Sequence, residues 1–293
     1  MSTILITGAT GNIGSLVVPA LLAGGATVRA LVRDEAKAAT LRDQGVETFI
    51  GDYSNQEVLN KAASGVDSIL AITPPNPDAV AQGDAILKAA LNGGSPGSPG
   101  SPYYVRMSAI GAAEDAPTEN GRFHHTSDEA LIASGLTYTI LRPHFFIQNL
   151  FASVDTIKEQ GNFYMGMGDG KMGMIDVRDI ADCTVSLLLN GGHDNKIYTP
   201  TGPASISLNE VAESISRGAG KTVNYVPVSI EAVGDAIRKM GWGEWGAQVM
   251  MDYSRAYADG WGDFNTSDVK AITGNNARSI DNFVSEVFVH AIN

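Results

Sequence analysis

The sequence predicts an α/β fold: a Rossmann-type doubly wound parallel sheet with a smaller mixed, mainly helical C-terminal lobe. Three observations predict it. Short apolar runs of strand length alternate with helical-period segments through the first half of the chain. A glycine-rich turn follows the first of those runs at once, and the alternation loosens after Pro143. The length of 293 residues suits one sizeable α/β domain with an appended lobe, divided here into 1–150 and 151–293.

Each element has its own signal. Thr3 to Ile6 is apolar and bounded by glycine, a buried parallel strand, and Asn12 to Leu22 is a helix stopped by Gly24-Gly25. The pattern continues with a strand at Thr27 to Val32, a helix at Glu35 to Arg42 and a strand at Glu47 to Ile50 that ends on Gly51-Asp52. A helix at Asn55 to Ala63 and a strand at Ser68 to Ile72 follow, the latter broken by Pro74-Pro75, then a helix at Pro77 to Leu91. Tyr103 to Met107 is a strand, Ser127 to Ser134 a helix, and Thr137 to Leu141 a strand ended by Pro143. Between helix and strand, Gly94 to Pro102 is a Gly/Ser/Pro run that excludes helix and ladder and reads as an exposed loop.

Beyond Pro143, Phe145 to Gln160 reads as a helix, Met174 to Val177 and Lys196 to Thr199 as strands, and Asp179 to Leu189 as a helix between them. Ser207 with Glu210 three residues on is a capping box, Val223 to Val226 a strand, and Ile230 to Met240 and Gln248 to Tyr257 are helical.

Composition narrows the function. A net charge of -12 argues against nucleic acid as a partner, because phosphate backbones need a basic face. The single cysteine, Cys183, sits in an apolar run and reads as a buried thiol in a reducing compartment. No leader or long apolar segment is read, so a cytoplasmic location without a membrane partner is expected.

Gly8-Ala9-Thr10-Gly11-Asn12-Ile13-Gly14 opens a helix directly after the first strand. In G-x-x-G-x-x-G spacing Gly8 allows the tight turn, Gly11 lets backbone approach a pyrophosphate, and Gly14 allows close helix–strand packing, while the helix N-terminus offers N–H groups to the phosphate. Strand two ends on Arg33, with Lys37 one turn on; both suit the 2′-phosphate of NADP(H), although a one-residue shift would present Asp34 instead. Asp52 either receives the adenine amino group or is a turn aspartate capping the next helix. Thr73 and Pro74, after strand four, complete the expected cofactor edge.

With these residues in hand, the chain resembles the NmrA-like group of atypical short-chain dehydrogenases. The resemblance rests on Thr7-Gly8-Ala9-Thr10-Gly11-x-x-Gly14, Leu31-Val32-Arg33 and Gly51-Asp52-Tyr53, then on Ser134-Gly135-Leu136-Thr137-Tyr138, Gly168-Asp169-Gly170-Lys171 and Gly192-His193-Asp194-Asn195. It implies NADP(H) binding and hydride transfer to quinone-, azo-, enone- or dye-like acceptors. The group also contains NADP-binding redox sensors that catalyse nothing. Two departures are the longer Gly/Ser/Pro loop and Arg142-Pro143.

The Tyr-x-x-x-Lys pair of the main short-chain branch is absent; His125-Thr126-Ser127-Asp128-Glu129 stands in its place. Conjugated acceptors leave a delocalised or neutral product that water can protonate, so they fit a site without that acid. Ser108, ending strand five, and His125 are the catalytic candidates, each with a structural alternative: a strand-end serine bonded to backbone, and a structural histidine. The small-molecule substrate is expected beyond the carboxyl ends of the strands, against His144, Phe145, Phe146, Tyr164, Trp242 and Tyr253, with Met165, Trp245 and Met250 as further candidates or as lobe core. A homodimer is compatible with the sequence, and no metal site is read.

Overall fold

The computed structural model describes residues 2–93 and 101–292, so most of the Gly/Ser/Pro stretch read as a loop lies outside the described residues. The chain forms two compact units. The first comprises Met1–Asp115, Gly121–Arg142 and Ile180–Tyr198; the second comprises Ala116–Asn120, Pro143–Asp179 and Thr199–Asn293. The chain leaves the first unit for Ala116–Asn120 and again at Pro143, and it returns for Ile180–Tyr198.

The first unit is the doubly wound sheet. Its elements are β1 (Thr3–Thr7), α1 (Gly14–Ala23), β2 (Thr27–Val32), α2 (Glu35–Arg42), β3 (Glu47–Ile50), α3 (Gln56–Ala63), β4 (Ser68–Ala71), α4 (Ala79–Asn92), β5 (Tyr103–Met107), α5 (Glu119–Ala133) and β6 (Tyr138–Leu141). The strand Lys196–Tyr198 closes a seven-stranded sheet of order β3-β2-β1-β4-β5-β6 and then itself, and every pairing is parallel. Strand order reverses between β1 and β4, which puts the topological switch point at the carboxyl end of β1. Strands β1 and β4 are apolar because helices cover both faces: Ile4, Leu5, Ile6, Ile69, Leu70 and Ala71 are wholly buried.

The second unit has its own core, built on Leu150, Phe163, Met172, Leu208, Ile215, Phe283 and Phe288. Two short ladders belong to it: Asn162–Met165 pairs in parallel with Asn224–Pro227, and Lys171–Met172 pairs antiparallel with Ile206–Ser207. The Ser207–Glu210 capping box forms as expected, with Ser207 accepting from the Glu210 N–H and the Glu210 carboxylate receiving the Ser207 N–H at 2.8 Å.

Three sequence expectations are corrected. The helix expected from Ser127 begins at Glu119, because Glu119-Asn120-Gly121-Arg122 has no apolar periodicity to reveal it. The segment read as one helix from Phe145 is a 3-10 helix (Ile147–Ser153) running into an α-helix (Val154–Gln160). The strand expected at Met174 to Val177 reduces to one bridge, Phe146 to Ile175; its apolar run is buried as irregular chain, and the strand lies at Lys171–Met172.

Candidate functional site

At the switch point the three glycines do different work. Gly8 has φ 71°, a left-handed conformation that favours glycine. A Cβ on Gly14 would lie 2.3 Å from the Gly8 carbonyl oxygen and 2.7 Å from the Ala9 Cα, so helix and loop pack too closely there for any side chain. Gly11 differs: a Cβ there would meet only the Gly8 oxygen, at 3.3 Å, and the residue is exposed. Chain conformation does not require glycine at 11, and packing constrains it far less than at Gly14. Helix α1 carries no side-chain cap at its N-terminus. An open, glycine-lined cradle facing uncapped helix N–H groups fits a pyrophosphate.

The neighbouring strand ends frame this cradle. Thr7 and Ile72 exchange two hydrogen bonds, Ile72 N–H to Thr7 Oγ1 at 2.9 Å and Thr7 Oγ1 to the Ile72 carbonyl at 3.0 Å, which ties the end of β1 to that of β4. Tyr53 donates to the same carbonyl at 3.0 Å. Thr73 is half-buried and Pro74 exposed just beyond; Thr10 and Asn12 are exposed, and the Ile13 side chain is buried under the loop.

At the tip of β2 the register is resolved. Asp34 is the N-cap of α2, its side chain accepting from the Lys37 N–H at 2.9 Å. Lys37 Nζ lies 3.8 Å from the same carboxylate. Arg33 is exposed and forms no ion pair among the described residues. Asp52 is a turn aspartate: its Oδ1 accepts from the Ser54 N–H at 2.9 Å and from the Ser54 hydroxyl. Those bonds hold its carboxyl below the usual range. The cap of α3 is not Asp52 but Asn55, which accepts from the Val58 N–H at 3.1 Å.

The carboxyl ends of β5 and β6 carry a cluster that the sequence reading missed. Asp128, on α5 and wholly buried, accepts from Arg106 Nε at 2.7 Å through Oδ1. Its Oδ2 accepts from both Ser108 Oγ at 2.8 Å and Arg142 Nε at 3.0 Å. Arg106 Nη2 donates to His124 Nδ1 at 3.3 Å. Burial, with Arg106 and Arg142 adding to it, pushes the His124 pKa down to about 3, so the ring is neutral at pH 7. The face that α5 turns to the strand ends is therefore His124/Asp128, one residue before the His125/Glu129 pair read from the sequence. His125 is half-buried and makes no hydrogen bond among the described residues; Glu129 is exposed. The missed signal was Arg106 itself: a charge in the middle of an apolar strand must find a buried counter-ion.

In the second unit the aromatic candidates separate. His144 is 1% exposed; its Nδ1 accepts from the Phe145 N–H at 2.8 Å and its Nε2 donates to the Gly262 carbonyl at 3.0 Å. Burial pushes its pKa down to about 4. His144 is a core histidine rather than a pocket wall, and Phe145 lies in the same core, edge-on to Tyr257. Phe146 and Met165 are half-buried. Tyr164 is exposed and donates to Gln160 Oε1 at 2.7 Å. Trp242 is 56% exposed at the turn between the helices Ile230–Lys239 and Gly243–Ala258, and Trp245 and Met250 are half-buried on the second of these. Tyr253 stacks on Tyr257 at 6.0 Å and accepts from Asn120 Nδ2 at 3.0 Å, while burial raises its pKa.

A family model described as NAD(P)H-binding matches residues 8–191, from the first glycine of the cradle to the end of the helix Val177–Asn190. The chain belongs to this NAD(P)H-binding family. It is 39% identical over 282 residues to an NAD(P)H azoreductase of Xenophilus azovorans, covering 96% of each chain. Among solved structures, the NADPH-dependent quinone oxidoreductase of Escherichia coli in complex with NADPH matches with TM-score 0.86 and 26% identity, over 97% of this chain and 99% of that one. The triphenylmethane reductase of a Citrobacter species in complex with NADP(H) matches with TM-score 0.82 and 27% identity, over 97% and 99%. The resemblance read from the sequence motifs is thus borne out. The fold, the NAD(P)H cofactor and the oxidoreductase class stand with it. Among the described residues no helix is long and apolar enough to cross a membrane.

Proposed function

We propose that this chain is an NADP(H)-dependent reductase of small conjugated acceptors of the quinone, azo, enone or dye type. The observation that carries the reading is the cluster ending β5: no group there is free to act as a strong acid. The Ser108 proton is directed to Asp128, and the His124 ring is already neutral. A ketone reduced to an alkoxide needs an acid. A conjugated acceptor spreads the charge and takes its proton from water, so alignment suffices.

In this reading the cradle at Gly8, Gly11 and Gly14 and the N-terminus of α1 hold the pyrophosphate. Arg33, with Lys37 beside it, receives the 2′-phosphate, and the Thr73–Pro74 edge lies along the cofactor. Nicotinamide, when bound, supplies the hydride. Ser108 presents oxygen lone pairs rather than a proton, which suits orienting an amide N–H.

The test is NADPH oxidation followed at 340 nm with a panel of quinones, azo compounds, enones and simple ketones. Turnover with the conjugated members and little with simple ketones is expected. Tight NADPH binding with no turnover on any acceptor would instead make the chain a cofactor-binding sensor.

A further inference from the structure

Two positive charges share one negative charge at the ends of β5 and β6. Arg106 and Arg142 both bond Asp128, and His124 beside them is neutral, so the cluster carries one uncompensated positive charge. The two arginines are not equivalent. Arg106 is 3% exposed at its side chain, with Nε on Asp128 and Nη2 on His124. Arg142 is 19% exposed at its side chain; only its Nε is engaged, and its two Nη groups have no acceptor among the described residues. The excess charge therefore reaches the carboxyl edge of the sheet through Arg142. A guanidinium with four spare N–H donors, pinned at its base by a buried carboxylate, is preorganised for an anion. The whole chain carries -12, so its general field repels anions and a local positive group is what admits one.

The position is equally specific. Ser108 Oγ and Arg142 Nε converge on the same oxygen, Asp128 Oδ2, so Arg142 stands beside the serine that ends β5. The Ser108 N–H also donates to the Leu141 carbonyl at 2.7 Å, which locks the two strand ends together. We propose that Arg142 is a specificity-determining residue that selects acceptors bearing a negative charge, a carboxylate, sulfonate or phenolate-type oxygen, next to their conjugated system. Asp128 is its positioning residue, and neutral acceptors gain nothing from the pair. This inference rests on the reductase reading above.

The test uses two probes that differ in charge, 1,4-naphthoquinone and its 2-sulfonate. Equilibrium binding to the NADP+-saturated protein is measured first, where no turnover occurs, and then KM and kcat with NADPH. Arg142→Gln is expected to weaken binding of the sulfonate on the order of tenfold or more and to leave the parent quinone within about twofold. Arg142→Lys, which keeps the charge, should recover part of the sulfonate affinity. Circular dichroism and the melting temperature establish that each variant is folded. Equal losses for both probes, or a wild-type protein without preference for the sulfonate, would overturn the assignment. Wild-type NADPH oxidation with the parent quinone reports separately on the reductase reading: its absence sinks that reading, while the binding ratio still judges Arg142.

Discussion

Alanine at Gly14 and alanine at Gly11 should fail in opposite ways, although the two glycines lie three residues apart in one loop. At Gly14 the added Cβ meets backbone on three sides: the Gly8 oxygen at 2.3 Å, the Ala9 Cα at 2.7 Å and the Ala9 carbonyl carbon at 2.8 Å. Backbone cannot swing aside as a side chain can. Helix α1 must instead back away from the Gly8–Ala9 loop, which follows directly on the buried strand β1. Overpacking of this kind costs about 1–3 kcal/mol or more. In a chain of this size that lowers the melting temperature by roughly 2–5 °C. At Gly11 the added Cβ meets one backbone atom, the Gly8 oxygen, at a tight 3.3 Å, so the expected cost is smaller than at Gly14, below about 1 kcal/mol. In the proposed cradle the same methyl group would take the space of the pyrophosphate and should weaken NADPH by tenfold or more, with Gly11→Val abolishing binding. The assay pairs differential scanning calorimetry of the apo protein with NADPH titration by fluorescence. Gly11→Ala binding NADPH as tightly as wild type would refute the cradle. Gly14→Ala melting with wild type would refute the packing argument.

Three further outcomes follow from the same geometry. Arg33→Ala should weaken NADPH about tenfold and leave NADH nearly unchanged, given a charge-assisted contact of ~1.5–3 kcal/mol; equal losses for the two cofactors would remove Arg33 from the phosphate site. His124 and His144 are held neutral, with pKa values pushed down to about 3 and about 4 from an ordinary 6.5. Their contribution is therefore complete above pH 6.5, where folded and unfolded chains both leave them uncharged. It is lost as pH falls below 6.5, where only the unfolded chain takes up the protons. Each contributes about 1.4 kcal/mol per pH unit, so unfolding free energy should drop by roughly 3–4 kcal/mol between pH 6.5 and 5; a stability flat over that interval, measured by urea titration, would contradict the neutral rings. Ser108→Ala and His125→Ala should each retain activity, with losses nearer tenfold than the ~100 to 10,000-fold of general acid catalysis, and kcat should be flat from about pH 6 to 8. A fall in kcat with rising pH that disappears in His125→Ala would make His125 the acid.

The sequence by itself determined the doubly wound sheet. Alternation of buried strands with helices, and a glycine turn directly after the first strand, are local signals, and each β-strand of the first unit forms within a residue or two of where its apolar run lies. The build of the glycine turn was legible for the same reason: the left-handed backbone of Gly8 and the close packing at Gly14 depend on neighbours a few residues away. Tertiary structure decided which side of a helix faces the site. On α5 a one-residue change of register separates His125/Glu129 from His124/Asp128. Only the positions of Arg106 and Arg142 on two neighbouring strands settle which pair is turned inward. It also decided which aromatic residues are core. His144 looks like a pocket residue in sequence, and its bonds to the Phe145 N–H and to the carbonyl of Gly262, distant in the chain, make it an internal one. Charge compensation and hydrogen-bond satisfaction across long sequence separations have no local pattern, so one sequence could name the residue types of the β5–β6 cluster but not bring them together.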